Sequence, residues 1–460
     1  MTETIKMFTK ILGVICYLTT VLYLIELFIP SLTLQIIYSL LAAILLVCAF
    51  FFLTTINRVI ILILLIIGFI CLNYENASFL TAVLGFGENI NLLSLFLLIP
   101  LIGTFMSTAG YLTALKQFVQ KRHRSIGQHP YSFSFALTAT IGILLNFGSM
   151  AIVKRIIEES FSTYQDKKIT LMIMRGFAVS MLWSPYFVNV GLVLVLFNVS
   201  WFDISGFGLV LALVYLIISA CMFKYISFPD DQIKEQKEYR PENSDFSMSL
   251  KPFLLFTVAL VGLSFILDIM LTVKMLTIVS LLAIMLPFLW ATVTGILTSF
   301  VQDVTEQVLN SFTRLKNELA VFISAGFLGL AMSQTEVGTM LSLFLFQSSF
   351  GSIYLLSLLL VVLATILAQV GIHPVIIVIG IGSSLTPDLF GVSPEYLALI
   401  LLVSWTVSTQ LSPFSGQVLM ASKLMEQSTK VIVKQNIIFV CLLAIILPAI
   451  LYGFHLIGWL

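Results

Sequence analysis

The chain has 460 residues, 59% of them hydrophobic and 10% charged, with a formal net charge of +1. Its mean hydropathy of +1.09 means more apolar surface than a soluble domain of this size can hide, so composition marks a polytopic membrane protein. The near-neutral charge speaks against a nucleic-acid partner, and the absence of a GxxxxGK[ST] pattern excludes ATP-driven pumping within this chain.

Apolar runs long enough to cross a bilayer occupy 11–29, 33–53, 57–73 and 93–115. The first is too long for a signal-peptide core and lacks a small-residue cleavage site, so it is read as a span. A basic connector with Lys116, Lys121, Arg122 and Arg124 follows, then apolar residues 131–152, then a second basic connector with Lys154, Arg155, Lys167 and Lys168. An apolar stretch from about 168 to 200 carries a Ser184-Pro185 step at its middle, and 206–224 crosses again. A polar linker, 225–250, separates the halves. Spans at 251–271 and 275–298 come next, then amphipathic 299–317, an apolar segment from 318, and apolar runs at 341–384, 395–422 and 436–458. Cys16, Cys48, Cys71, Cys221 and Cys441 all fall in apolar spans without metal-ligand spacing and read as small buried hydrophobes.

Positive charge in short loops marks the cytoplasmic face. Were 131–152 a full span, the two basic connectors would lie on opposite faces. A re-entrant hairpin puts both inside and closes the count: N-terminus inside with Lys6 and Lys10, Arg58 inside, the 225–250 linker inside, Lys423, Lys430 and Lys434 inside, and the C-terminus outside after eleven spans. A twelfth crossing is the alternative, at the cost of one violation of the charge rule. Between Lys316 and Lys423 there is no Lys or Arg, so a hairpin at about 354–384 would open to the outside.

Proline removes a backbone donor and clashes one turn back, so the spans holding Ser184-Pro185 and Ser412-Pro413 are expected to break there. Ser180, Ser184 and Pro185 recur as Ser408, Ser412 and Pro413, each 228 residues later, and Asn189 is answered by Gln417. Gly103, Met106 and Ser107 recur as Gly329, Met332 and Ser333, 226 residues later. These anchors define an internal duplication: an extra N-terminal helix (1–32), a first unit (33–224), a linker (225–250) and a second unit (251–460). The expected fold is all-α, with about eleven transmembrane helices in two inverted five-helix units, each with a re-entrant hairpin and a broken helix.

This arrangement resembles the ion transporter superfamily, and most closely the architecture of the divalent anion/sodium symporter family. The likeness is one of architecture and spacing over the whole chain. In place of that family's Ser-Asn-Thr hairpin-tip signature stand Asn146-Phe147-Gly148-Ser149 and Gly371-Ile372-His373-Pro374. The resemblance implies a homodimer.

Half-helix N-termini favour anions and unwound carbonyls coordinate cations. One half-site is therefore expected from Asn146, Ser149, Ser180, Ser184, Pro185 and Asn189, and the other from His373, Ser408, Thr409, Ser412, Pro413, Ser415 and Gln417. Sodium would sit near Asn146, Ser184 and Ser412. The competing reading is that serine and threonine hydroxyls satisfy backbone carbonyls or allow close helix packing. His373, with apolar neighbours, is either a ligand or proton carrier or a hydrogen-bonded structural histidine. Arg175 is expected to snorkel to the cytoplasmic interface rather than hold an anion. Glu336 reads as an exposed loop carboxylate, and Asp268 and Glu26 as water-facing.

The leading expectation is a secondary active transporter, not an enzyme, of a small anionic solute coupled to Na⁺ or H⁺, with no other cofactor. A lipid or lipid-linked-precursor translocase is an alternative that a chain with 38 Phe would also suit. A membrane-embedded glycosyltransferase or polymer ligase is another, but it would need a sizeable external loop with catalytic Arg, His or carboxylates, and the outer loops here are short and nearly free of Lys and Arg. Richness in Ile, Phe and Lys is compatible with a bacterial inner membrane.

Overall fold

Hydrocarbon offers backbone N–H and C=O groups no partner, so long apolar runs must satisfy themselves as helices. The computed structural model describes residues 3–126, 129–146, 148–161, 163–228, 230–231, 233–235, 249–271 and 273–460. The first half holds α1 (Glu3–Phe28), α2 (Leu32–Phe50), α3 (Thr55–Tyr74), α4 (Phe79–Gly85), α5 (Ile90–Thr108), α6 (Tyr111–Ile126), α7 (Pro130–Leu145), α8 (Gly148–Ser160), α9 (Asp166–Ser180), α10 (Val188–Leu196) and α11 (Trp201–Cys221). The second holds α12 (Lys251–Met270), α13 (Met275–Val293), α14 (Leu297–Ser333), α15 (Val337–Ser348), α16 (Ile353–Gln369), α17 (Pro374–Gly382), α18 (Pro387–Phe390), α19 (Pro394–Leu411), α20 (Gly416–Met425) and α21 (Thr429–Leu456). Beside the helices, two three-residue strands, β1 (Thr163–Gln165) and β2 (Ile233–Glu235), pair antiparallel. Of the linker, 236–248 lie outside the described residues.

Among the described residues ten helices are long and apolar enough to cross a membrane, and the pair α15–α16, bent by 109°, would count as an eleventh if taken as one span. The protein is an all-α polytopic membrane protein. The span from about 168 to 200 is not among the ten because α9 opens with Asp166-Lys167-Lys168 and the chain breaks after Ser180. Two other runs are corrected. The 93–115 run divides at Ala109-Gly110, where Gly110 takes a positive φ, and the 341–384 run divides into α15, α16 and α17. The amphipathic stretch 299–317 and the apolar segment after it form one unbroken helix, α14.

The helices sort by what surrounds them. α3 and α12 turn rows of Ile and Leu outward, among them Ile63, Ile66, Ile70, Leu254 and Leu255, as lipid-facing helices should. In contrast α9 is buried without interruption from Ile169 to Ser180, and α19 from Tyr396 to Leu411. α1, α2, α3, α5, α13 and α14 pack with one another as one group; α7 to α11 and α16 to α21 form the other, joined to it through α5–α7, α5–α10 and α14–α17.

Residues 130–160 form a helical hairpin. α7 has only 16 residues, ends where Asn146 adopts φ 49°, and packs side by side with α8. Its two ends meet: Tyr131 Oη at the entry accepts the Gln165 N–H just past the exit at 3.0 Å. Glu159 at the end of α8 pairs with Lys116 on α6 and, at 2.9 Å, with Arg155. Burial alone would raise the Glu159 carboxyl, but these two cations hold it below the usual carboxylate range. Lys154 and Arg155 thus stand on the second arm of the hairpin, not on a connector. Lys154 is buried, its Nζ 2.5 Å from Asp166 Oδ1 and 2.9 Å from Thr170 Oγ1, because a cation inside protein needs such a cage. Lys121, Arg122 and Arg124 lie on α6, and their side chains are outside the described ones. The second hairpin runs from α16 through 370–373 to α17. Its entry lies beside the start of α19, where Ser357 Oγ and Tyr396 Oη are 2.7 Å apart.

Two further expectations change. Glu26 is buried and accepts the Gln35 side-chain amide at 2.6 Å, which replaces the water it was expected to face. Cys221 and Cys441 are exposed on outward helix faces and Cys48 is half-buried, whereas Cys16 and Cys71 are buried as expected.

In a background with Cys221 and Cys441 replaced by serine, His129→Cys and Arg155→Cys should react with a membrane-impermeant maleimide from the same side of the membrane. Reaction from opposite sides would mean that 130–160 crosses.

Candidate functional site

Both spans with a Ser-Pro step are interrupted at that step. After Ser180 the regular α-helix gives way to turns through 181–187, tightened to i→i−3 bonds at 181–183, and resumes in α10; after Leu411 it turns through 412–415 into α20. Proline alone does not decide this, since Pro100, Pro287 and Pro448 lie inside continuous α5, α13 and α21. At the breaks, side-chain donors take the carbonyls that helix would otherwise consume. Asn189 Nδ2 donates to Met181 O at 2.6 Å, Gln369 Nε2 to Leu411 O at 2.7 Å, and Ser415 Oγ to Thr409 O at 2.5 Å.

Each break is also tied to its hairpin. Ser180 Oγ donates to Ala139 O on α7 at 2.9 Å, and Ser412 Oγ to Ala368 O on α16 at 2.7 Å. Ser149, at the start of α8, donates to the Asn146 carbonyl at 2.6 Å and so closes the first tip. Gly142 lies between these parts: a Cβ there would meet Ser149 Oγ, the Phe177 ring and Ser180 Oγ at 3.6 to 3.8 Å. At the second tip Gly371 takes φ 97° against the Phe414 ring, and His373 caps α17, its Nδ1 accepting the Val375 N–H at 3.3 Å.

The two broken helices cross each other. α9 packs on α20 and α10 on α19, and at the crossing Thr409 Oγ1 lies 3.9 Å from Met181 Sδ, a pair 228 residues apart. Thr409 also donates to Trp405 O at 2.9 Å, and Ser408 to the same carbonyl at 3.1 Å. Gln417 reaches from α20 to donate to Met174 O at 3.1 Å, while its Oε1 has no partner among the described residues. Ser184 Oγ, buried beside Pro185, likewise has none. Pro413 is half-buried and Phe414 exposed, so the second break is the more open of the two. Ser180, Asn189, Ser408, Thr409, Ser412, Ser415 and Gln417 thus lie at the breaks and their crossing, where most hydroxyls are committed to backbone carbonyls, while Asn146, Ser149 and His373 stand at the hairpin tips.

Arg175 does not snorkel. It is 1% exposed, its Nε donates to Asn436 Oδ1 at 3.0 Å, and its guanidinium stacks 3.8 Å from the Phe439 ring centre. Asn436 Nδ2 donates to Gln410 Oε1 at 3.4 Å, Tyr215 Oη donates to the same oxygen at 2.7 Å, and Gln410 Nε2 donates to Thr406 O at 2.9 Å. Arg175, Asn436, Gln410 and Tyr215 thus join α9, α21, α19 and α11 in one buried polar network. Sequence reading passed over Asn436, Gln410 and Tyr215. Their signal was a lone amide or hydroxyl inside an apolar run, and a pairing across 261 residues has no local signature. Glu336 is exposed, as expected. Compared with the models of known protein families and with curated proteins, the chain matches none.

α7 and α9 touch so closely that a Cβ on Gly176 would lie 2.4 Å from the Phe135 carbonyl oxygen, a backbone atom that cannot swing away. Gly176→Ala should lower stability by roughly 1–3 kcal/mol, and Gly142→Ala should melt like the wild type in detergent; equal melting of the two would show that α7 can move off α9. His373→Ala should lose about 1 kcal/mol of helix capping and His373→Ser should restore it. A His373→Ser protein that is stable yet lacks the function of the wild type would show that the imidazole does more than cap.

Proposed function

We propose that the protein is a secondary active transporter of a small anionic solute, working by alternating access around the crossing of the two broken helices. The observation that carries this reading is the reciprocity of the packing. α7 on α9 is answered by α16 on α19, α9 on α20 by α19 on α10, α8 on α20 by α17 on α10, and α3 on α14 by α13 on α5. Each pair becomes the other when first-unit residues are advanced, and second-unit residues set back, by the 226–228 offset. Met181 and Thr409, which touch, are themselves 228 apart. A residue meeting its own counterpart is what a two-fold relation between repeats produces at its axis.

Five crossings separate α2 from α12, so equivalent helices run in opposite directions, and the relation is an inverted repeat with its axis in the membrane plane. Binding at the repeat interface between discontinuous helices is the arrangement of secondary transporters. The architecture expected from the ion transporter superfamily fits this reading. Charge supports the orientation: with the hairpins re-entrant, Arg58, Lys116, Arg155, Lys251, Arg314, Lys316 and Lys423 fall on one face, taken as cytoplasmic, and Lys274 on the other. Four half-helix N-termini, those of α8, α10, α17 and α20, lie at the tips and breaks and favour an anion there.

Counterflow in proteoliposomes with a panel of carboxylates, inorganic anions and lipid headgroups, with and without an ion gradient, tests the reading. Exchange of a soluble anion is expected; exchange of lipid headgroup substrates alone would replace it with a lipid translocase. Pro185→Ala and Pro413→Ala should fold and melt near the wild type but lose at least about tenfold in exchange rate, because an intact helix consumes carbonyls that the break positions. Wild-type exchange in both variants would remove the breaks from the mechanism.

A further inference from the structure

Resting on that transport reading, we infer that Arg175 is the built-in cation that pairs with the anionic solute, so that recognition at the crossing needs no bound sodium. Two independent observations converge on this. The first is the guanidinium itself. It is 1% exposed, no Asp or Glu forms an ion pair with it among the described residues, and its Nη1 has no hydrogen-bond partner there. Asn436 and the Phe439 ring solvate it, and both are neutral. A charged group inside a membrane protein is costly unless paired, and the cages of this chain show what a paired one looks like: Lys154 sits against Asp166, and Glu158 is 3.6 Å away. Arg175 lacks that acid.

The second observation is what the breaks do with their carbonyls. A sodium ion at an unwound helix is held by carbonyl and hydroxyl oxygens that the protein leaves over. Here Met181, Thr409 and Leu411 carbonyls already accept from Asn189, Ser415 and Gln369. The hydroxyls of Ser180 and Ser412 are spent on the hairpins. Of the break oxygens, Ser184 Oγ and Gln417 Oε1 remain without a partner among the described residues, so few free oxygen ligands are left there, and the crossing holds a positive charge of its own. That charge stands six residues before the first break, which begins at Met181. Guanidinium offers the planar fork that carboxylates and phosphates accept, and it cannot lose its proton.

The full chain purified in detergent is melted with acetate, succinate, citrate, phosphate and sulfate, in choline and in sodium buffers. At least one of these anions should raise the melting temperature of the wild type equally in both buffers. Its apparent Kd should rise on the order of 10- to 100-fold in Arg175→Gln, as for loss of a charge-assisted hydrogen bond, and by less in Arg175→Lys. Asn436→Asp serves even if Arg175→Gln fails to fold. It places a carboxylate beside the guanidinium, so without added anion it should melt above the wild type, and it should no longer be stabilised by anions. A requirement for sodium, or wild-type anion affinity in Asn436→Asp, would overturn the assignment of Arg175. If the wild type exchanges anions in proteoliposomes and Arg175→Gln exchanges them equally, this inference fails and the transport reading stands; if no anion stabilises or exchanges in the wild type, both fail.

Discussion

The structure depends on one constraint: where two buried helices are interrupted, every backbone group released must find a donor or acceptor within the protein. An orphaned carbonyl or amide in such buried surroundings costs about 1–3 kcal/mol. Asn189 and Gln369 amides and the Ser415 hydroxyl meet that demand at the breaks, and Ser180 and Ser412 extend it to the neighbouring hairpins. Because Ser180, Ser412 and Gln369 link the breaks to α7 and α16, the interruptions and the hairpin packing are one feature. That is also why the broken helices lie deepest, with α9 and α19 buried over their last three turns or more while α3 and α12 face outward.

Reciprocal packing follows from the same demand met twice. The pairs α7–α9 and α16–α19 hold each hairpin to its own broken helix, and α9–α20 and α10–α19 lock the two broken helices to each other. The halves are not copies in detail. Asn189 seals its own break, whereas its counterpart Gln417 reaches into the other half to Met174. The first break is sealed and the second opens at Phe414. Such asymmetry between equivalent positions fits one state of a cycle in which the two halves exchange roles, as the proposed mechanism requires.

Two charged groups elsewhere in the interior sit in small polar sets, which is how ionisable side chains are retained at depth. Lys154 has Asp166 and Thr170, and Glu26 has Gln35. The Arg175 network is of another kind, since amides, a phenol and an aromatic ring surround a cation without an acid. It joins four helices of the group that contains both breaks, so a change at the guanidinium is felt by α9, α11, α19 and α21 together.

By itself the sequence determined what composition and period can carry. Long apolar runs specify membrane helices because the bilayer leaves the backbone no other solution, and the Ser-Pro steps marked both interruptions because proline removes a donor wherever it stands. The match of Ser180, Ser184 and Pro185 to Ser408, Ser412 and Pro413 gave the offset at which Met181 meets Thr409. Only tertiary structure decided the rest. Pro100, Pro287 and Pro448 obey the same local chemistry as Pro185, yet their helices continue, because a break persists only where neighbours supply donors. Lys154 and Arg155 read as a charged connector, although Lys154 finds its acid inside the fold at Asp166. Arg175 read as a snorkelling side chain because its length and charge permit that at any helix end. Its partner Asn436 lies 261 residues away, and no local pattern encodes a contact at that separation.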